Sequence, residues 1–170
     1  TLVGHNVGAG NIDRAEKIIK KSVILSFVLL SVVGILFFIF ANNIVSIFIN
    51  SNDAEVIREG GFFLKVVSLS FGFIGAQMAV LGALRGAGSA NATFYIAFTT
   101  IFFQVAVAFV LARFIFHNQA GVWFAFLAAN IFGAVLAYAV FSSGRWKDKK
   151  MLDKPEVRRE IEEESSLAEV

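Results

Sequence analysis

The sequence lacks several features on which soluble enzymes and secreted domains depend. It contains no cysteine, which excludes disulfides and thiolate metal sites. Between Gly60 and Lys147 it contains no Asp or Glu, so this half of the chain has no paired carboxylates for acid–base catalysis. Only 16% of its residues are charged and 57% are hydrophobic, whereas soluble domains have about 25% and roughly 45–50%. A water-soluble fold cannot bury this apolar excess, and the composition therefore predicts an integral membrane protein.

Four apolar stretches are each long enough to cross a membrane as a helix, because a hydrocarbon core of roughly 30 Å takes about 20 residues. Gaps in the charge pattern place the spans at residues 22–41, 60–84, 94–112 and 121–141. Asp13 and Glu16 have capping-box spacing, which predicts that the first helix begins with Asp13 as its N-cap. A second helix is predicted to start near Asp53 and to continue to Leu84, with the Lys65 side chain reaching the headgroups. The predicted fold class is all-α, with four transmembrane helices.

Lysine and arginine are concentrated on one side of this predicted bundle. They precede the first span, follow the fourth, and include Arg85 between the second and third, whereas the other side has Arg58, Lys65 and Arg113. Because basic residues are enriched in cytoplasmic loops, we expect both ends of the sequence to be cytoplasmic in a multi-pass protein of the plasma membrane.

The same pattern divides the chain into three parts. Residues 1–12 are predicted to form the end of a preceding transmembrane helix and a cytoplasmic turn, residues 13–142 the four-helix bundle, and residues 143–170 a charged cytoplasmic tail. Trp146 has the position of an interfacial anchor. Because the sequence opens without Met directly into a glycine-dense motif, we expect it to be the C-terminal fragment of a longer chain.

Two glycine-rich motifs lie at the predicted cytoplasmic side. They are VGHNVGAGNIDRA at residues 3–15 and LGALRGAGSANA at residues 81–92. Together they resemble the motifs of the multidrug and toxic compound extrusion (MATE) family of transporters, in which a G-x-x-x-G-A motif and a later R-G-x-G turn close helices. The matching positions are Gly4, Gly8, Ala9, Arg14, Ala15, Arg85, Gly86 and Gly88. The resemblance implies the C-terminal lobe of a twelve-helix transporter, from the end of its eighth helix through its twelfth.

The glycines of these motifs also have a physical interpretation apart from the family. Gly4 with Gly8, and Gly82 with Gly86, are small residues at i and i+4, a spacing that lets helices approach closely in lipid. They are candidates for packing contacts and hinges. The alternative interpretation is that they only terminate helices, with Gly86 or Gly88 in the left-handed cap conformation.

The resemblance also carries an expectation about the coupling ion. In the MATE family, acidic residues of the first helix serve coupling, and sodium-coupled members also use acids of the seventh and tenth helices. The second span would be the tenth helix, and it contains Lys65 and Gln77 but no carboxylate. This pattern resembles the proton-coupled DinF-like branch rather than the sodium-dependent one. It implies that the coupling carboxylate belongs to the missing N-terminal part of the same chain.

Polar side chains within the spans are candidates for the substrate path. Gln77, Gln104 and Asn130 must satisfy amide donors and acceptors in a dry medium, so we predict that they face the bundle interior. Hydrogen bonding between helices is the alternative role. His5 and His117 are predicted on opposite faces without a ligand at metal spacing, so we predict no metal site, no cofactor and no catalytic residue.

These observations predict part of a secondary active multidrug efflux antiporter. It would export cationic or amphipathic small molecules in exchange for protons or sodium by alternating access, in contact with membrane lipid and without nucleic acid. One alternative is a lipid-linked oligosaccharide flippase of the same superfamily, which would need several basic residues in its cavity. Another is a small four-helix membrane module that acts through oligomerisation or a partner.

Overall fold

The computed structural model describes residues 1–49 and 53–147, and these ranges form seven α-helices without any strand. The predicted all-α fold class is therefore confirmed. Residues 148–170 of the predicted tail, and Asn50, Ser51 and Asn52 between two helices, lie outside the described residues. The helices are α1 Leu2–Gly8, α2 Ile12–Ile39, α3 Ala41–Phe48, α4 Ala54–Ser68, α5 Phe71–Gly86, α6 Ala90–Val110 and α7 Ala120–Ser142.

Helix α2 is longer than the span predicted within it. Its 28 residues measure about 42 Å at a rise of roughly 1.5 Å per residue, so its polar first turns extend beyond a membrane core. Its N-cap is Asn11 and not Asp13, which lies inside the first turn. The predicted capping box is therefore wrong, since Asp13 is already helical and Glu16 has other partners.

The second predicted span is divided into two helices, α4 and α5, which meet at a bend of 46°. Two serine hydroxyls hydrogen-bond to the backbone at this break: Ser68 Oγ donates to the Lys65 carbonyl over 2.8 Å, and Ser70 Oγ donates to the Val67 carbonyl over 2.7 Å. Such bonds offer the backbone an alternative to the helical ladder. The sequence predicted an unbroken helix, and the structure instead places a break at Leu69 and Ser70.

Helix α5 is at the centre of the bundle. It packs against α2 on one side and α7 on the other, while α6 covers α7 and α3 lies against α4. Helix α6 continues into a π-helical turn at Leu111–Ile115, and α7 is followed by a 3₁₀ turn at Arg145–Lys147. This arrangement leaves α2 and α6 with outward faces that no other described helix covers.

The outward faces are apolar, as a membrane requires. Leu25 on α2 is 60% exposed and Phe102 on α6 is 70% exposed. Within the described residues, α2, α6 with its π-helical turn, and α7 are each long and apolar enough to cross a membrane, and the bent pair α4 and α5 makes a fourth candidate span. Exposed side chains of this kind are stable only when lipid or further protein covers them.

A cluster of buried hydrophobic residues lies at one end of the bundle. There Trp146 is only 4% exposed, its ring stacks on Phe141 at 5.5 Å between centroids, and its Nε1 donates a hydrogen bond to the Phe141 carbonyl over 3.0 Å. Trp146 is therefore a core residue at the end of α7. The predicted role as an interfacial anchor is wrong, because such an anchor presents its ring to the headgroups and this ring is buried.

Candidate functional site

The turn between α1 and α2 is a helix C-cap of the Schellman type. The Asn11 N–H donates to the Asn6 carbonyl over 2.8 Å, and the Gly10 N–H donates to the Val7 carbonyl over 3.0 Å. Gly10 has φ of 76°, a left-handed conformation that favours glycine. Asn11 is at once the last residue of this cap and the N-cap of α2, so the chain reverses without an intervening loop.

The turn between α5 and α6 has the same structure. The Ser89 N–H donates to the Leu84 carbonyl over 2.8 Å, the Gly88 N–H donates to the Arg85 carbonyl over 3.0 Å, and Gly88 has φ of 78°. Gly88, and not Gly86, therefore adopts the left-handed cap conformation. Arg85 is exposed in the last turn of α5, where its charge is favourable at the negative end of the helix dipole.

The two glycine motifs meet in space at Gly4 and Gly86, and we call this contact between α1 and α5 the glycine junction. A Cβ atom added to Gly4 would lie 2.8 Å from the backbone oxygen of Gly86, closer than any real Cβ contact. A Cβ atom added to Gly86 would lie 3.5 Å from the Gly4 nitrogen. The backbones thus touch without any side chain between them, which is the close approach that small residues permit in membranes.

The other two glycines of the predicted pairs do not pack. A Cβ on Gly8 or on Gly82 would meet nothing within 4 Å. Each i, i+4 pair was expected to let helices approach closely, and one member of each pair, Gly4 and Gly86, makes such a contact. Spacing alone could not distinguish the packed member of each pair from the open one.

An apolar cluster lies beneath the glycine junction and joins five helices. It includes Ala15 and Ile19 from α2, Leu84 from α5 and Ile96 from α6, none more than 1% exposed, together with Trp146 beyond α7. We call this end of the bundle, which carries both glycine turns and the end of α7, the basic end. Its exposed side chains include Arg14, Lys17, Lys20, Lys21, Arg85, Arg145 and Lys147.

One carboxylate at the basic end links the start of α2 to the segment after α7. Glu16 accepts from Lys20 Nζ over 2.7 Å and from Lys147 Nζ. Hydrogen bonds from Lys147 and Lys20 lower the pKa of Glu16 from 4.5 to about 2, and the Glu16 carboxylate raises the pKa of Lys20. Sequence reasoning assigned Glu16 to a capping box. The i, i+4 spacing of Glu16 and Lys20 is a signal for the ion pair between these two residues, whereas no sequence pattern indicates the pair of Glu16 with Lys147.

The break between α4 and α5 lies against α2. A Cβ on Gly34 would lie 2.5 Å from the Ser68 backbone oxygen, so glycine is required for this contact. A cleft of about 210 Å³ beside the break is lined by Ser31 and Gly34 of α2 and by Ser68, Leu69 and Gly72. On its α2 side the backbone interruption is therefore in contact with protein, the arrangement that irregular backbone in a membrane requires, while Leu69 is exposed.

Gln77 is buried in the contact between α5 and α7. It is 8% exposed, and a Cβ on Gly133 would lie 2.6 Å from Gln77 Nε2 and 2.9 Å from Gln77 Oε1. The amide group thus lies flat against a backbone surface that only glycine leaves free. This placement inside the bundle agrees with the prediction for Gln77, while its role in a substrate path stays a prediction.

Gln104 and Asn130 are placed differently from Gln77. Both are half-buried, and Asn130 Nδ2 donates to the Phe126 carbonyl of its own helix over 2.8 Å. Among the hydrogen bonds of the described residues, none joins Gln77, Gln104 and Asn130 to one another. The three predicted path residues are therefore not joined by hydrogen bonds within this part of the protein.

Sequence reasoning missed a stripe of small residues on α7. Gly121, Ala125, Ala129, Gly133 and Ala137 recur every four residues, and all five are buried. An i, i+4 search for small residues finds this stripe as readily as it finds the glycine motifs. Within residues 1–49 and 53–147, no group of three or more His, Asp or Glu side chains is arranged to hold a metal ion.

Comparison with known proteins gives a family match. The family model described as MatE matches residues 1–110, a range that contains both glycine turns and the glycine junction. A Thermotoga maritima protein named "Probable multidrug resistance protein NorM" is 30% identical over 159 residues, covering 93% of the chain and 34% of that protein. A Bacillus subtilis (strain 168) protein named "Probable multidrug resistance protein YoeA" is 25% identical over 151 residues, covering 88% of the chain and 32% of that protein.

The chain spans about a third of the length of the curated relatives that it matches, whose shares are 34%, 32% and 34%. The third of these is a Pseudomonas syringae pv. tomato protein named "Probable multidrug resistance protein NorM", 26% identical over 159 residues. No solved structure matches the chain significantly.

Proposed function

The chain belongs to the MatE family, and from this premise we propose that the complete protein is a secondary active multidrug efflux antiporter. It exports cationic or amphipathic compounds by alternating access, in exchange for an ion. Three relatives carry multidrug resistance in their names, which supports the choice of cargo. The observation that carries the proposal is the match of the MatE family model over residues 1–110, a range in which the glycine junction brings the two motifs of the family resemblance together.

In this proposal the chain contributes part of the C-terminal lobe. At the glycine junction and at the break between α4 and α5, backbones touch without intervening side chains, as they also do where Gly75 meets Ser26 and where Gly121 meets Ala112. Contacts of this kind allow helices to shift with little side-chain repacking, which alternating access needs. The predicted path residues Gln77, Gln104 and Asn130 would line or support the cavity that this motion opens.

We propose that the coupling ion is a proton and that its carboxylate lies in the N-terminal part of the complete protein. Coupling needs an ionisable group inside the membrane. Residues 60–147 contain no Asp or Glu, and Glu16 is engaged by Lys20 and Lys147 at the basic end. This pattern supports a coupling carboxylate in the N-terminal part of the complete protein.

We propose further that the basic end faces the cytoplasm in the plasma membrane. The start of α2 and the segment after α7 lie together at this end, joined by Glu16 and Lys147. The opposite end carries an aromatic group, with Phe62 and Phe63 both within 5.7 Å of Trp123 between ring centroids. Positive residues on one side and an interfacial aromatic belt are the usual marks of orientation and depth.

The alternatives have less support. A flippase for lipid-linked oligosaccharides would need several basic residues in the cavity, and Lys65 is the only Lys or Arg within the four predicted spans. For a self-sufficient four-helix module, we would not expect 93% of the chain to match a stretch that is only 34% of a longer multidrug resistance protein.

The proposal is tested by expressing the complete protein in cells that lack their own multidrug pumps and measuring ethidium accumulation. We expect lower accumulation than with an empty vector, and restored accumulation when a protonophore collapses the proton gradient. Equal accumulation with and without the protein, at confirmed membrane expression, contradicts export. A protonophore-insensitive but sodium-dependent difference keeps export and replaces the proposed ion.

A further inference from the structure

At the basic end, an open groove lies between the start of α6 and the end of α7. It has a volume of about 630 Å³, within the roughly 300–1,000 Å³ of small-ligand sites. One wall is the α5–α6 turn and the first turns of α6, with Asn91 and Tyr95. The other is the last turn of α7 and the residues after it, with Ser143 and Arg145. The buried Trp146 ring closes the groove toward the bundle.

The polarity of the groove changes along the helices. Ser89 before α6, Asn91 in its first turn, and Ser143 and Arg145 after α7 are at the level of the helix ends. Further along the helices toward the membrane centre, the lining is Ala92 and Tyr95 on α6 and Ala139 and Val140 on α7. A molecule that fits both levels has a polar head and an apolar body.

The described residues that line the groove carry charge of one sign. Arg145 is exposed and is the charged residue among those lining it. Residues 60–147 supply no Asp or Glu to either wall. Among the described residues no carboxylate lines the groove, so within this part of the chain an anionic head is attracted and the ammonium group of a zwitterionic head has no acidic partner.

We propose that this groove is a binding site for the headgroup of an anionic phospholipid. The Arg145 guanidinium binds the phosphate, Ser89 and Asn91 offer hydrogen bonds to the headgroup, and the glycerol lies on the apolar level beside Tyr95. The exposed face of α6 continues below with Phe98 at 61% and Phe102 at 70% exposed, which gives the acyl chains an apolar surface. A free phosphate ion has no apolar part that would contact the exposed face of α6. The observations therefore favour a lipid. Basic pockets between transmembrane helices at the cytoplasmic side bind acidic headgroups in this way.

The test is native mass spectrometry of the complete purified protein after exchange into equal amounts of phosphatidylglycerol and phosphatidylcholine. We expect the protein to retain phosphatidylglycerol in preference. Arg145→Gln should reduce that retention about fivefold, the effect of one basic residue near an anionic surface. Arg113→Gln is the matched control, because it removes an exposed arginine at the opposite end of α6 and should leave retention unchanged.

A second variant tests the groove rather than the charge. Ala139 is exposed and lines the groove, so Ala139→Phe should fill it and lower retention of phosphatidylglycerol without unfolding the protein. Equal retention in wild type, Arg145→Gln and Ala139→Phe overturns the proposal. Displacement of the retained lipid by millimolar inorganic phosphate also overturns it, because the site would then recognise a free anion.

Discussion

Gly4 is the residue at which the family motif has its clearest physical cause. A methyl group there would lie 2.8 Å from the Gly86 backbone oxygen, and a backbone atom cannot move aside as a side chain can. Gly82 has the same residue type on α5 but open space around its Cβ position. The two positions thus separate the requirement for close packing from the general cost of glycine in a helix.

We predict that Gly4→Ala destabilises the complete protein by about 1–3 kcal/mol, the cost of overpacking a tight contact. Gly82→Ala is the matched control and should stabilise α5 by about 0.5–1 kcal/mol, because alanine is the better helix former. Thermal unfolding of both variants in the same detergent measures the difference. Equal midpoints for the two variants would show that the glycine junction is not tight in the protein.

The ion cluster at Glu16 predicts a dependence of stability on pH. The folded-state pKa of Glu16 is lowered from 4.5 to about 2 by hydrogen bonds from Lys147 and Lys20, so its contribution is complete above the ordinary pKa and is lost as pH falls toward about 2. The unfolding midpoint of wild type should therefore exceed that of Glu16→Gln near neutral pH, and the gap should narrow below about pH 4.5.

Asp13→Asn is the control for this experiment. Asp13 lies in the same first turns of α2 but takes part in none of the ion pairs of the described residues. Its variant should show no such narrowing. A constant gap between wild type and Glu16→Gln across the acidic range would rule out the ionised cluster.

At the scale of elements, the contact between α5 and α7 includes a close approach of Gly133 to Gln77. The Gly133 Cβ position lies 2.6 Å from Gln77 Nε2, so a methyl group there displaces the amide. We predict that Gly133→Ala is destabilising in wild type and neutral or stabilising in the Gln77→Ala background. The coupling free energy should be about 0.5–3 kcal/mol, the range for residues in contact.

Additive effects of Gly133→Ala and Gln77→Ala on the unfolding midpoint would contradict this packing. Efflux by the same variants gives independent information. If Gln77 serves only to pack α5 on α7, efflux should follow stability across the cycle, whereas a path residue lowers efflux in Gln77→Ala even where stability is restored.

The break between α4 and α5 is the second element that the structure makes testable. The Gly34 Cβ position lies 2.5 Å from the Ser68 carbonyl oxygen, which the break leaves facing α2. Gly34→Ala should push α2 away from the break and cost about 1–3 kcal/mol in the thermal unfolding of the complete protein. An unchanged midpoint would mean that α2 does not pack against the break.

The elements differ in how far the sequence predicts them. Long charge gaps predict α2, α6 and α7, because about 20 apolar residues have no other stable arrangement. The break at Leu69 and Ser70 was not predicted. Serine is common within membrane helices, and the bend depends on the contact between the Ser68 carbonyl and Gly34. The site shows the same division: the motif pattern indicated Gly4 and Gly86 separately, but their mutual contact depends on how α1 and α5 cross.

At the scale of the whole molecule, the described residues form a bundle with unequal ends. The basic end contains the glycine junction, the buried Trp146 and the Glu16 cluster, while the opposite end has the aromatic group around Trp123. Large apolar side chains on α2 and α6 stay uncovered. Exposed apolar faces of this size need lipid or further protein to cover them.

The measurement that tests the central claim most directly is transport by the complete protein reconstituted in liposomes without any other pump. With a fluorescent lipophilic cation as substrate and an imposed proton gradient, we predict that the cation moves in the direction opposite to the protons. The proton gradient should dissipate in proportion to the transport of the cation. An imposed sodium gradient of equal size should drive less movement of the cation. No cation movement under either gradient, from protein that is folded and correctly inserted, would contradict the account.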